Sequence, residues 1–229
     1  MFGTLFMTQD VVSTAFAGAL LATFSTAILC FLGLTWTNER WRIPLALVGV
    51  AALASSLHYV ASASLWLEAQ KAGAGIRFAA WFTVHPLQVV AVYFFARTLG
   101  KVPVGIFWRM GAAAWLMVFS RYLGDAHFFN PTLGVLLSIA FWLYILGEMY
   151  FGAMADTVRK GSRAVRLGYF WIRLIMTIGW AIYPILHFVD VVIGTGQVSG
   201  VVALYTLFDL VNLITPSLIV LAVAGQERY

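Results

Sequence analysis

Long apolar runs, separated only by short polar segments, fill almost the whole sequence. A helix rises about 1.5 Å per residue, so about 20 apolar residues cross the roughly 30 Å hydrocarbon core of a bilayer. Hydrophobic residues make up 62% of the 229 positions and charged residues 10%, whereas a soluble domain carries about 25% charged residues. So few charges cannot cover a water-soluble globule, and we expect the chain to fold inside a membrane.

Seven of these runs are long enough for a membrane crossing, and the fourth is the shortest. The sequence shows neither a long linker nor an internal repeat, so one domain over residues 1–229 is expected. No basic start with a small-residue cleavage site precedes the first run, which we expect to remain as a membrane helix. We predict an all-α integral membrane protein, a bundle of seven transmembrane helices. They are predicted at about 11–34, 43–66, 76–98, 106–122, 131–155, 167–191 and 198–224.

Basic residues are distributed unequally between the two ends of the predicted bundle. Ten of the 14 lysines and arginines fall in the odd-numbered connections and the C-terminus. The positive-inside rule then places the C-terminus in the cytoplasm and the N-terminus outside, as seven crossings require. We expect these basic clusters to contact lipid headgroups rather than nucleic acid. The ten residues are Arg40, Arg42, Arg97, Lys101, Arg109, Arg159, Lys160, Arg163, Arg166 and Arg228.

One acidic residue, Asp209, lies in the middle of the predicted seventh helix. A charge at mid-bilayer is costly, so such a residue is a functional candidate by default. Its candidate partner is Arg77, at the outer end of the third helix. We expect His58, Tyr59 and Tyr183 to complete a buried polar network at similar depth. The alternative is a static buried ion pair that only fixes helix packing.

Five segments, in the same order along the chain, resemble the microbial rhodopsins and most closely the proteorhodopsins. Residues 77–87 correspond to the family's Arg-Tyr-x-Asp-Trp followed by Pro-Leu. Residues 179–184 correspond to Gly-Trp-x-x-Tyr-Pro, and residues 209–212 to Asp-Phe-Val-Asn. The pair at 58–59 and the segment at 142–148 are similar to those of the proteorhodopsins. No single motif is specific, but the ordered set is, and it implies the seven-helix rhodopsin fold.

Three positions depart from the family on the path that carries protons. The resemblance implies that the lysine forming the retinal Schiff base stands four residues after Asp209, where this chain has Leu213. The carboxylate that accepts the proton in pumps corresponds to Ala80, and the cytoplasmic donor to Ala91. We therefore expect no covalent cofactor and no proton pumping by the family's mechanism. The chain's lysines, all in predicted connections, are Lys71, Lys101 and Lys160.

The aromatic walls of the family's retinal cavity are nevertheless retained. Trp81 and Trp180 match the pair that sandwiches the polyene, and an apolar cavity with a few polar groups is typical of a binding site. The main hypothesis is noncovalent binding of retinal, an apocarotenoid or a lipid, with a sensory or carrier role. The alternative is a collapsed pocket in a structural or regulatory membrane subunit that associates with itself, a true rhodopsin or another membrane protein. The predicted pocket residues are Ala80, Trp81, Trp180, Tyr183, Pro184, His187, Asp209 and Leu213.

Other chemistry is not indicated by the sequence. No nucleophile is paired with a base, so an enzyme is not expected. His85 and His187 lie within predicted helices without close ligand spacing, which favours hydrogen bonds to neighbouring helices over a metal or haem site. Tryptophans near predicted helix ends, such as Trp41 and Trp66, are expected to anchor at the membrane interface. The resemblance further implies a homo-oligomer in a bacterial inner membrane.

Overall fold

The computed structural model describes residues 10–69, 74–193 and 199–227, and these ranges contain helices but no β-strand. The predicted all-α fold is confirmed. One π-helical turn at Ile175–Gly179 joins two of the helices end to end. In chain order the helices are α1 (Val11–Trp36), α2 (Glu39–Ala69), α3 (Ala74–Arg97), α4 (Val104–Asp125), α5 (Pro131–Phe151), α6 (Ala153–Arg159), α7 (Arg163–Leu174), α8 (Trp180–Ile193) and α9 (Ser199–Gln226).

Within the described ranges, six helical stretches are long and apolar enough to cross a membrane. Helix α4 is not among them, although its 22 residues exceed the predicted 106–122. It carries Arg109 and Arg121 within its length, and these two charges lower its hydropathy. Helices α7 and α8, with the π turn between them, form one continuous stretch that is long and apolar enough to cross a membrane.

The predicted helix at 131–155 is broken by a single glycine. Helix α5 ends at Phe151 and α6 begins at Ala153, while Gly152 adopts φ −85° and ψ 178°. A Cβ on Gly152 would lie 2.6 Å from the carbonyl oxygen of Glu148, so a larger residue does not fit there without a shift. A hydropathy pattern cannot register this break, because the apolar run continues through it.

Side chains cap several helix starts, where the first backbone N–H groups lack helical partners. Asp10 accepts from the Ser13 backbone N–H at 3.0 Å. The same carboxylate accepts from Trp66 Nε1 at 2.5 Å. Trp66 is only 4% exposed, so its ring faces the interior of the bundle and not the lipid headgroups. The prediction of an interfacial anchor is wrong for this residue. Asn130 and Ser162 cap α5 and α7 in the same way.

The helix ends that carry the basic clusters meet at one end of the bundle. Arg40, at the start of α2, pairs with Glu227, just after α9, at 2.9 Å. Ser162 Oγ, before α7, donates to the same carboxylate. Arg109 on α4 pairs with Glu148 on α5, also at 2.9 Å. We call this the basic end.

The half of the bundle next to the basic end is filled by apolar and aromatic side chains, and we call it the apolar half. Its cluster contains Trp41, Ala91, Phe95 and Tyr169, all buried. Trp41 is 0% exposed and packs edge-on against Phe95 at 5.0 Å. Its predicted place at the membrane interface is therefore wrong, because the apolar ring fills the core instead.

Candidate functional site

Asp209 lies near the middle of α9 and receives hydrogen bonds from two other helices. Tyr183 on α8 donates to Oδ1 at 2.6 Å. Tyr59 on α2 donates to Oδ2 over a longer 3.5 Å. An ionised carboxylate inside a protein needs such donors to offset its lost hydration. The buried network predicted around Asp209 is thus assembled from three helices, and we call this region the polar half.

Arg77 lies near Asp209 but does not pair with it directly. Among the described residues, the ion pairs within 4.0 Å do not join Arg77 to Asp209. The Arg77 guanidinium instead stacks over the Tyr205 ring, 4.5 Å from its centroid, and lies 6.0 Å from that of Trp81. Arg77 and Asp209 line a common cavity of about 10 Å³, close to the space one water molecule needs.

His58 borders the polar half from α2. Its ring lies 5.0 Å from that of Tyr59, and Nδ1 lies 3.4 Å from Ser62 Oγ. It lines the same small cavity as Arg77 and Asp209. The imidazole thus forms part of the predicted network without contacting the carboxylate.

Gln88 and Asn212 belong to the site although sequence reasoning missed them. A proline has no N–H, so Pro216 leaves the carbonyl four residues earlier, that of Asn212, without a helical partner. Gln88 Nε2 on α3 donates to this oxygen at 2.8 Å. The signal was present in the sequence, since a proline inside a helix always frees one carbonyl.

The π turn before α8 is held by side chains from two neighbouring helices. Asn212 Nδ2 donates to Gly179 O at 2.9 Å and to the Tyr183 hydroxyl at 3.0 Å. Trp142 Nε1 on α5 donates to Met176 O at 2.9 Å. A Cβ on Gly179 would overlap Asn212 Oδ1, so this close approach requires glycine. These bonds fix Tyr183, which faces Asp209.

The residues expected to hold the polyene surround two small cavities. The first, about 20 Å³, lies beside Asp209 and is bordered by Ala80, Trp81 and Leu213. The second, about 40 Å³, is bordered by Trp180, Pro184 and other side chains. A water molecule needs roughly 10–15 Å³ on this measure, so neither cavity alone holds a polyene. The residues that line both are His85 and Tyr183.

His85 occupies the space between the two tryptophans. Its ring centroid lies 4.8 Å from that of Trp180 and 5.5 Å from that of Trp81. Within the described part of the chain, His85 Nδ1 and Trp180 Nε1 are buried without a hydrogen-bond partner. The sequence predicts that His85 forms hydrogen bonds to neighbouring helices, and it does not predict that the ring fills the slot.

His187 lies away from these cavities, in contrast to the prediction. Its Nδ1 lies 2.9 Å from Arg121 Nη1, and Arg121 pairs with Asp125 at 3.1 Å. His187 lines neither cavity. The family's pattern predicted His187 at the cavity. Its contact with Arg121 instead places the imidazole beside α4.

Comparisons with known proteins agree with this architecture. The model of the family described as "Bacteriorhodopsin-like protein" matches residues 10–226. The blue-light absorbing proteorhodopsin of Gamma-proteobacterium Hot 75m4 is 28% identical over 225 residues, 96% of this chain and 88% of the relative.

Two solved structures share the fold. The blue light-absorbing proteorhodopsin from Med12 superposes with a TM-score of 0.80 at 23% identity, covering 95% of this chain and 100% of that one. Xanthorhodopsin, a light-driven ion pump with dual chromophore, gives 0.83 at 18% identity, covering 95% and 93%. The chain belongs to the bacteriorhodopsin-like family of microbial rhodopsins and is close to the proteorhodopsins.

Proposed function

We propose that this chain is a rhodopsin-fold membrane protein that neither binds retinal covalently nor pumps protons. The observation that carries the proposal is Leu213, four residues after Asp209 and 4% exposed beside the first cavity. A Schiff base requires a primary amine, which leucine lacks. Lys101 and Lys160 are exposed in connections between helices, and in the described part of the chain no lysine lines either cavity.

The charge balance of the cavity supports the proposed loss of pumping, because the two family residues of opposite charge are replaced together. The resemblance implies that a pump has a cationic Schiff base at position 213 and a carboxylate at position 80. Leu213 and Ala80 remove one charge of each sign, whereas removing one partner alone leaves an unpaired buried charge at a cost of about 3–5 kcal/mol. Arg77 and Asp209 then remain as two opposite charges that line a common cavity.

We further propose that the retained aromatic walls bind a slender hydrophobic ligand, such as retinal, an apocarotenoid or a lipid chain, without a covalent bond. Trp81, Trp180 and Tyr183 supply the walls. Rotation of the His85 side chain about χ1 would join the two cavities into one slot. The unpartnered Trp180 Nε1 supports a ligand, because buried polar atoms are normally satisfied. A sensory or carrier role follows from binding without turnover.

A second candidate is a structural or regulatory membrane subunit. It is favoured by the close packing of His85 against both tryptophans, which fills the slot with protein. In this case the aromatic residues act as core, and the function lies in association with the chain itself or with another membrane protein.

An absorption spectrum separates these candidates. The protein is purified from cells given all-trans-retinal and measured before and after hydroxylamine, alongside H85A, which removes the ring from the slot, and W108A as an exposed control. A near-ultraviolet retinal band that grows in H85A, with no visible band, supports noncovalent binding. Aromatic absorption alone in both wild type and H85A supports the subunit. A visible band that hydroxylamine removes from the wild type overturns the proposal.

A gain-of-function variant tests the role assigned to Leu213. With H85A opening the slot, L213K supplies an amine and A80D supplies a counterion. We expect the triple variant to form a pigment with a visible, hydroxylamine-sensitive band, while L213M in the same background forms none. Failure of a folded triple variant to form any imine would show that the cavity differs from the family's by more than these residues.

We also propose that the basic end faces the cytoplasm and that the chain forms a homo-oligomer in a bacterial inner membrane. The gathering of Arg40, Arg109 and their partners at one end supports this orientation. Single cysteines at Lys101 and Ala126, in a C30A background, test it with a membrane-impermeant thiol reagent on spheroplasts. We expect labelling of A126C alone, and the reverse result inverts the topology. Native mass spectrometry counts the subunits.

A further inference from the structure

Arg173, in the last turn of α7, is a membrane-embedded cation without a carboxylate partner. Its guanidinium carbon lies 4.4 Å from the ring centroid of Tyr150 on α5 and 5.2 Å from that of Tyr169. Among the described residues it forms no ion pair, and its Nε is buried without a hydrogen-bond partner. This desolvated Nε donor needs an acceptor from outside the described chain.

The acidic residue near this site on α5 is already engaged. Glu148 pairs with Arg109 at 2.9 Å. It also accepts from the Tyr144 hydroxyl at 3.3 Å. With Glu148 neutralised by Arg109, the positive charge of Arg173 remains uncompensated.

The two tyrosine rings around Arg173 are fixed in position. The Tyr150 hydroxyl lies 3.1 Å from Thr177 Oγ1. The Tyr169 hydroxyl donates to Met149 O at 3.0 Å. Because both phenols are held by hydrogen bonds, the guanidinium rests in a preformed aromatic cage and loses little freedom when an anion binds.

The direction of the Arg173 side chain leads toward the basic end. Helical side chains lean toward the helix N-terminus, and α7 begins at the basic end with its cap Ser162. Arg166 lies seven residues earlier on the same face, about 10 Å along the axis. Phe170, 45% exposed, lies on that face between the two arginines. This face therefore alternates guanidinium groups with an apolar surface.

The geometry points to a binding site for the phosphate of an anionic phospholipid, taken from the leaflet at the basic end. A guanidinium presents a planar fork that matches two phosphate oxygens. Arg173 binds the phosphate against Tyr150 and Tyr169, and Arg166 adds positive charge on the headgroup side. Phe170 and Trp171, 45% and 46% exposed, offer apolar contacts for the acyl chain. These contacts favour a lipid over free phosphate.

Native mass spectrometry tests this site on the full chain. The purified protein is mixed with equal amounts of phosphatidylglycerol and phosphatidylcholine of identical acyl chains, and retained lipids are identified by mass. The wild type is expected to prefer phosphatidylglycerol. R173Q should lower that preference about fivefold, because this is the contribution of one arginine near an anionic membrane surface. R173K should lose part of it, because an ammonium lacks the fork.

R97Q serves as the matched control, since Arg97 is an exposed arginine at the end of α3, outside the cage. Because Arg97 is expected to contact headgroups only as part of the exposed basic cluster, R97Q should lose less of the wild-type preference than R173Q does. If R173Q does not fold, Y150L removes one wall of the cage while retaining the charge, and should also weaken the preference. An unchanged preference in folded R173Q or in Y150L overturns the proposal. So does an equal loss in R97Q, or inorganic phosphate displacing the lipid at millimolar concentration.

Discussion

The two halves of the bundle are filled by different chemistry. The apolar half packs Trp41, Phe95 and Tyr169 around Ala91, and the Arg173 guanidinium borders it against the Tyr169 ring. The polar half holds Asp209 with Tyr183 and Tyr59 as donors. One half of the bundle is thus built on aromatic packing, and the other on a hydrogen-bonded carboxylate.

The two halves of the bundle are therefore stabilised in different ways. In the apolar half, stability comes from burial, and any apolar side chain of the right shape suffices. In the polar half, each group depends on a specific partner, because an unpaired polar atom costs more than a bond contributes. We therefore expect substitutions in the apolar half to act through packing volume, and substitutions in the polar half to act through the partner that is left behind.

The largest effect is expected from W41A in the apolar half. Trp41 is 0% exposed, and removing a buried aromatic ring costs about 3–5 kcal/mol. The matched control is W108A on α4, which removes the same side chain at 68% exposure and should change stability by less than about 0.5 kcal/mol. Unfolding of the reconstituted protein in a titration with sodium dodecyl sulfate measures both. Equal costs for the two tryptophans would contradict the assignment of this half as core.

In the polar half, Y183F and Y59F should differ although each removes one hydroxyl near Asp209. Tyr183 donates at 2.6 Å and also accepts from Asn212, so its loss removes two hydrogen bonds inside the bundle, at about 2–3 kcal/mol. Tyr59 donates over 3.5 Å, and its loss should cost less than about 1 kcal/mol. The same unfolding titration compares them. A larger cost for Y59F than for Y183F would mean that Tyr59 on α2, and not Tyr183, is the main donor to Asp209.

The bond from Gln88 should depend on Pro216. Q88L leaves the Asn212 carbonyl without a partner, which costs about 1–3 kcal/mol. In a P216A background the restored backbone N–H satisfies that carbonyl, so Q88L should then cost less than about 0.5 kcal/mol. The double-mutant cycle measures the coupling. Additive effects would show that Gln88 acts through its packing in the cavity rather than through this hydrogen bond.

Sequence reasoning reached the helices and the family because both depend on patterns along the chain. Apolar runs define the crossings, and a carboxylate at mid-membrane identifies Asp209. The stacking of Arg77 on Tyr205 and the position of His85 between two tryptophans depend on side-chain directions that only the packed bundle fixes.

Backbone irregularities were missed for a related reason. The break at Gly152 and the π turn at Ile175–Gly179 leave the apolar pattern intact. The π turn is stabilised by Trp142 and Asn212, which are distant in sequence. Pro216 is visible in the sequence, but the residue that satisfies the carbonyl it frees lies on another helix and is fixed only by the packed bundle.

The smallest effect is expected at the edge of the polar half, where Asp10 caps α1. Burial alone would raise the pKa of the Asp10 carboxyl, but hydrogen bonds from Ser13 and Trp66 together outweigh it and hold the pKa below its ordinary value. A depressed pKa means that the cap stabilises the fold above the unfolded pKa of about 3.9 and loses this effect as pH falls through the lower folded value.

D10A should therefore destabilise the protein by about 1 kcal/mol near neutral pH, and its difference from the wild type should shrink as the pH falls below about 4. D10N is the control, since an asparagine caps a helix without titrating and should show no such pH dependence. Thermal unfolding across this pH range measures all three chains. A difference between wild type and D10A that stays constant down to acidic pH would mean that Asp10 acts through its shape and its contact with Trp66 rather than through its charge.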